Sequence, residues 1–243
     1  MRESDLAALQ RLLPVTTTVY ELPAEGNVGL VIVDPGRGFT REGNLADPNH
    51  MVPMVMRIAA DYQDLKADLG DRLHVLIFLD THHADIPEPP YPPHGVIGTG
   101  EEDIDPALEF LLNEPNVTVI RKDCINGFVG SISLVTGDIK FADWMKAYEI
   151  ETLLTCGDCT DICVSDFVVT ALSARNHGLL TTESPMRRRD RYIAAITNLD
   201  IVVLTWACET FDAPAIGHPR EAAHHVGLWT MASRGAILAK RLE

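Results

Sequence analysis

The residues Thr155-Cys156-Gly157-Asp158-Cys159-Thr160-Asp161-Ile162-Cys163-Val164 follow an apolar run and open an amphipathic stretch. The pattern predicts a strand, a tight turn and a helix whose first turn carries Cys163. A thiol in that position feels the positive end of the helix dipole, which favours the thiolate. The thiolate is the nucleophilic form, and amides of the same turn can hold an oxyanion. Cys163 is therefore the leading candidate nucleophile. Cys156 and Cys159 have the spacing of a redox pair or of half a zinc site, but no second such pair completes a four-cysteine site. Cys124 and Cys208 read as small buried residues. An odd count of five cysteines, with no secretory signal, argues against a disulfide framework and for a reducing, cytoplasmic setting.

The elements that position this turn are legible as unbroken apolar runs at 28–33, 74–79, 117–120, 152–156, 178–182 and 201–205. Continuous rather than alternating Val/Ile/Leu is the mark of strands buried on both faces. Helical patterns at 53–69, around 144–148 and from Cys163 to Gly178 separate them. Strands alternating with helices predict a doubly wound, mostly parallel α/β sheet with helices on both faces. Residues 36–53 and the proline-rich 85–105 read as long loops. At 243 residues and 46% hydrophobic, the chain can form one large domain, with 206–243 as an extension that caps the site or builds an interface. A net charge of −15 argues against nucleic acid or an anionic membrane as partner, and no apolar run is long enough to span a bilayer. In a parallel sheet, ligands bind beyond the carboxyl ends of the strands, and Asp34, Asp80, Lys122 and the Cys163 turn all fall at such ends.

With these residues in order, the chain resembles the cysteine hydrolases of the isochorismatase-like superfamily, and within it the nicotinamidases. Val31-Ile32-Val33-Asp34 with Phe39, Lys122 after a middle strand, and Gly157-Asp158-Cys159-Thr160-Asp161-Ile162-Cys163-Val164 carry the resemblance over about residues 28–205. It implies Cys163 as nucleophile, Asp34 as proton acceptor and donor, and Lys122 as the cation beside them. It also implies an oxyanion hole from the backbone N–H groups of Cys159 and Cys163, with a cis peptide joining Asp158 to Cys159. The reaction implied is hydrolysis of a small carboxamide through a thioester, releasing ammonia.

Asp80, His82 and His94 form a two-histidine, one-carboxylate set able to hold a divalent ion with positions left open, and His83 and Asp85 stand in reserve. Tyr91-Pro92-Pro93-His94 is similar to the aromatic-Pro-Pro-His segment of nicotinamidases, whose metal holds the pyridine nitrogen of nicotinamide. Zinc is the expected ion, with iron and manganese as alternatives. Phe39 and Tyr91 match the aromatic positions that flank the substrate ring in that family. The expectation is hydrolysis of nicotinamide to nicotinate. The alternatives are a related hydrolase acting on an N-carbamoyl or maleamate-type amide, or a catalytically silent binding module. The resemblance also implies a homo-oligomer. Gly36, where the family usually carries Gln, and the long tail beyond Thr205 depart from its pattern.

Overall fold

The computed structural model describes residues 2–243. Seven strands run in chain order: β1 (Thr18–Tyr20), β2 (Asn27–Val33), β3 (Leu73–Asp80), β4 (Val117–Lys122), β5 (Ile150–Asp158), β6 (Asp200–Glu209) and β7 (Ile237–Leu242). They form one sheet in the order β1-β7-β6-β5-β2-β3-β4, and every pairing is parallel. The central strands owe their place to the unbroken apolar runs. Val28, Val31, Ile32 and Val33 of β2 and Val75, Leu76, Ile77 and Phe78 of β3 have no exposed surface. Each such side chain contributes about 1.5–3 kcal/mol relative to an exposed position.

The helices are α1 (Glu3–Leu12), α2 (Arg37–Thr40), α3 (Pro48–Leu69), α4 (Gly127–Gly130), α5 (Lys140–Ala147), α6 (Cys163–His177), α7 (Arg189–Thr197) and α8 (Arg220–Ala232). The longest, α3, packs across β3, β5 and β6, whereas α6 packs on β5 and β6 and is itself contacted by α4, α7 and α8. The chain leaves β2 towards β3 and β4, then returns to the other side of β2 for β5, β6 and β7. The winding direction therefore reverses between β2 and β5, and the crevice beyond the carboxyl ends of these two strands is where a ligand is expected.

Five of the six expected strands are present. The sixth, at 178–182, is not a strand: Gly178 ends α6 in the left-handed conformation at φ 81°, and irregular chain follows. With β5 and β6 already neighbours, that run has no place in the sheet. Residues 36–53 are not all loop, because α2 lies within them and Pro48 starts α3 five residues before Pro53. Pro48 sits at the first helical position, where its missing N–H costs nothing. Residues 206–243 supply the end of β6, all of α8, and β7, which pairs with both β6 and β1.

Candidate active site

Each strand end delivers one polar side chain. Asp34 follows β2 with φ 50° and no exposed surface. Asp80 ends β3 directly opposite Lys122 at the end of β4. Cys163 opens α6 after the turn that leaves β5. The Lys122 ammonium unites them, with Nζ 2.8 Å from Asp34 Oδ2, 2.8 Å from Asp80 Oδ1 and 3.9 Å from Cys163 Sγ. Lys122 is 2% exposed, and Gly130 of α4 lies so close that a Cβ there would approach the Lys122 Cβ to 2.5 Å. Asn126 caps α4 and donates from Nδ2 to Thr170 Oγ1 of α6 at 2.8 Å, tying the lysine's support to the nucleophile's helix.

Burial dominates the proton affinities of this cluster. It raises the Asp34 carboxyl to about 7, against the pull of Lys122. Burial also pushes the Cys163 thiol well above its usual range, with Lys122 opposing and Asp34 and Asp80 reinforcing the shift. Removal of water and two neighbouring carboxylates thus act against the pull towards the thiolate expected from the helix terminus. Lys122 itself is driven well above its normal range, because Asp34, Cys163 and Asp80 overcome its desolvation. A protonated thiol beside a carboxyl of pKa near neutrality is a nucleophile–base pair.

The turn from β5 to α6 contains a cis peptide between Asp158 and Cys159, as the resemblance implies. Its amides divide into two groups. Thr160 donates to Glu209 O, and Ile162 and Val164 donate to Cys159 O, at 2.9–3.1 Å. The amides of Cys159, Asp161 and Cys163 have no backbone acceptor among the described residues. Cys159 and Cys163 among them are the two N–H groups assigned above to an oxyanion hole.

A second cluster adjoins the first through Asp80. Its Oδ2 lies 2.9 Å from His82 Nε2 and 3.1 Å from His94 Nε2. Glu88 Oε2 stands 3.6 Å from both imidazole nitrogens. One ligand atom from each of Asp80, His82, Glu88 and His94 falls within 4.8 Å of the others. His94 Nδ1 is 2.8 Å from Pro92 O, a carbonyl that can only accept, so Nδ1 carries a hydrogen and Nε2 is the nitrogen left to offer a lone pair to an ion. Lone pairs from two imidazoles and two carboxylates converging on one point fit a divalent cation, and the carbonyl behind His94 fixes the ligating tautomer. Glu88 was not anticipated; it lies in the proline-rich loop, where no periodicity assigns a direction to any side chain. His83 and Asp85 are exposed and stand outside this group.

Between the clusters is a small, half-open pocket bordered by Cys163, Cys159, His94 and Glu88. Phe39 and Tyr91 both line it, with ring centroids 5.5 and 6.1 Å from that of His94. Leu45, Ile125, Ile162 and Phe211 complete the walls and were not foreseen as such. The pocket is thus mostly apolar, with a thiol and with nitrogen and oxygen ligands on its border.

The isochorismatase-domain family model matches residues 28–240. Nicotinamidase 1 of Arabidopsis thaliana is 43% identical over 234 residues, covering 91% of this chain and 89% of that protein. The chain belongs to the isochorismatase family. Solved structures with the same fold include a nicotinamidase/pyrazinamidase from Bacillus subtilis (TM-score 0.61, 23% identity, 88% of this chain and 100% of that one). Another is a pyrazinamidase from Pyrococcus horikoshii in complex with zinc (TM-score 0.60, 18% identity, 88% and 98%). The family assignment agrees with the sequence reading of a doubly wound cysteine-hydrolase fold. Its model extends to residue 240 and so takes in α8 and β7.

Proposed function

We propose that this isochorismatase-family protein is a cysteine amidohydrolase that converts nicotinamide to nicotinate and ammonia. The observation that carries the reading is the shared pocket: Cys163 of the thiol–carboxyl–ammonium cluster and His94 and Glu88 of the two-histidine, two-carboxylate cluster border one apolar slot that Phe39 and Tyr91 also line. The 43% identity to a nicotinamidase supports the substrate.

In this reading Asp34 takes the proton of the Cys163 thiol as sulfur attacks the carboxamide carbon. The N–H groups of Cys159 and Cys163 hold the tetrahedral oxyanion, and Lys122 offsets the negative charge moving between Asp34 and sulfur. Asp34 then gives its proton to the departing nitrogen, ammonia leaves, and a thioester remains on Cys163. Water, deprotonated by Asp34, adds to the thioester, and its collapse frees nicotinate and restores the thiol. Asp80, His82, Glu88 and His94 would hold a divalent ion, zinc by the donor set and by the zinc-bound Pyrococcus relative. Such an ion supplies a Lewis acid for the ring nitrogen and so fixes the ring in the slot. Phe39 and Tyr91 cover the ring faces. The same reading carries the expectation of a cytoplasmic homo-oligomer.

Ammonia release from nicotinamide, measured beside N-carbamoyl and maleamate-type amides, tests the substrate. Nicotinamide should be turned over at least about tenfold faster than either acyclic class, since only it presents both a ring nitrogen and a carboxamide. Preference for an acyclic amide would overturn the assignment.

A further inference from the structure

The proposed reaction gives no part to His218, a half-buried histidine just before α8 that makes close contacts to two sides of the active site. Its Nε2 lies 2.9 Å from Asp161 Oδ2, and its Nδ1 lies 3.0 Å from Phe211 O. Its ring stacks on the ring of Phe211, with centroids 4.1 Å apart and planes 25° from parallel. A carbonyl and a carboxylate both accept hydrogen bonds, so this geometry satisfies an imidazolium donating from both nitrogens. Burial disfavours that charge, but Asp161 outweighs it and raises His218, while His218 in turn holds Asp161 below the usual carboxylate range. The nearby charged groups are otherwise engaged. Arg220 binds the Glu209 carboxylate at 3.0 and 3.1 Å, and His224 Nδ1 is 2.9 Å from Thr160 Oγ1.

Both partners of His218 belong to the pocket's framework. Asp161 lies two residues before Cys163, inside the turn that presents the thiol and the amides of Cys159 and Cys163. Phe211 is 3% exposed and lines the pocket together with Cys159 and Cys163. We propose that His218 is a positioning residue for the hydrolysis: through Asp161 it fixes the nucleophile turn, and through Phe211 it fixes the facing wall. A charge-assisted hydrogen bond at each nitrogen makes the link stiffer than neutral contacts would. Small misplacements of a reacting group are costly, about 100-fold for 1 Å. The groups assigned to the substrate ring, namely the His94 cluster, Phe39 and Tyr91, lie outside this link. Loosening it therefore weakens transition-state contacts more than ground-state binding.

This inference rests on the amidohydrolase reading, and its test separates the two. Full-length wild type, His218→Phe and His218→Gln are compared in nicotinamide turnover, in Cys163 alkylation by iodoacetamide, and in thermal melts. His218→Phe keeps a ring over Phe211 but removes both hydrogen bonds, and His218→Gln keeps a donor towards Asp161. The expected result for His218→Phe is a kcat lower by about tenfold, a KM within about twofold, and slowed alkylation of Cys163. His218→Gln recovers most of the loss. A folded His218→Phe protein with wild-type kcat and alkylation, a loss confined to KM, or no recovery with Gln overturns the proposal. If His218→Phe fails to fold, Asp161→Asn weakens the same pair from the other side and must give the same split. Alkylation does not depend on the substrate: a wild type inactive on nicotinamide sinks the functional reading, while the variants' alkylation rates still decide the role of His218.

Discussion

At Asp34, burial sets a pKa of about 7 against an unperturbed value of 3.8, so this carboxyl is the group whose titration the rate should follow. Below that pH it is protonated and cannot accept the thiol proton; above it, it can. The proposed mechanism therefore predicts that kcat/KM rises with pH through an acid limb centred near 7. Asp34→Asn should remove turnover while leaving bound metal unchanged, as a pH–rate series with metal analysis would show. A limb centred near 4 would mean that Asp34 is solvated and not the base. His82→Ala should do the reverse. It removes one of four converging donors, and elemental analysis should find most of the ion gone, with substrate affinity reduced by about tenfold or more. Full metal retention in that variant would break the assignment of the ligand set. Asp34, Asp80, Lys122 and Cys163 were legible as chemistry because each ends a strand or opens a helix in a readable pattern. Glu88 was not, because a loop of prolines gives its side chains no period to read.

Among the elements, α8 holds the nucleophile turn from behind. Gly227 lies against it so tightly that a Cβ would come within 2.6 Å of Asp161 Cα and 2.8 Å of Thr160 O. Those are backbone atoms and cannot swing aside. Alanine at this position gains about 1 kcal/mol of helix propensity, but overpacking a tight contact costs typically about 1–3 kcal/mol. The overpacking should win, because the obstacle is main chain. Gly227→Ala is therefore expected to lower the melting temperature by a few degrees and to reduce kcat, read by calorimetry and steady-state kinetics. An unchanged melt and rate would show that α8 is not seated on the turn. The sequence made β2 to β6 readable, since each holds an unbroken apolar run, but not β7. Ile237-Leu238-Ala239-Lys240-Arg241-Leu242 has only a short apolar run, and its Lys240 and Arg241 are exposed. Its interior place comes from pairing with both β6 and β1, a tertiary fact with no local signature. For the same reason the tail read as an extension, while α8 and β7 in fact lie on and within the sheet.

Over the whole molecule, function follows from where the winding reverses. β2 and β5 are neighbours in the sheet but far apart in sequence, and their carboxyl ends bring Asp34 and the Cys163 turn together. β3 and β4, on one side, add Asp80 and Lys122 in register, and the loop after β3 adds His82, Glu88 and His94. The other side, through β6 and the chain that follows it, adds Phe211 and His218. The first half of this arrangement could be read from strand ends alone; the second depends on how the last 35 or so residues return to the sheet, which no spacing in the chain reveals. The central claim is that Cys163 carries the acyl group of the amide as a thioester. Rapid acid quench during nicotinamide turnover, followed by mass analysis of the peptide bearing Cys163, tests it directly. The account predicts a nicotinoyl mass increment on Cys163 that appears within the first turnover and is absent from Cys163→Ala, which releases no ammonia. Ammonia release by Cys163→Ala at a rate near wild type would contradict it.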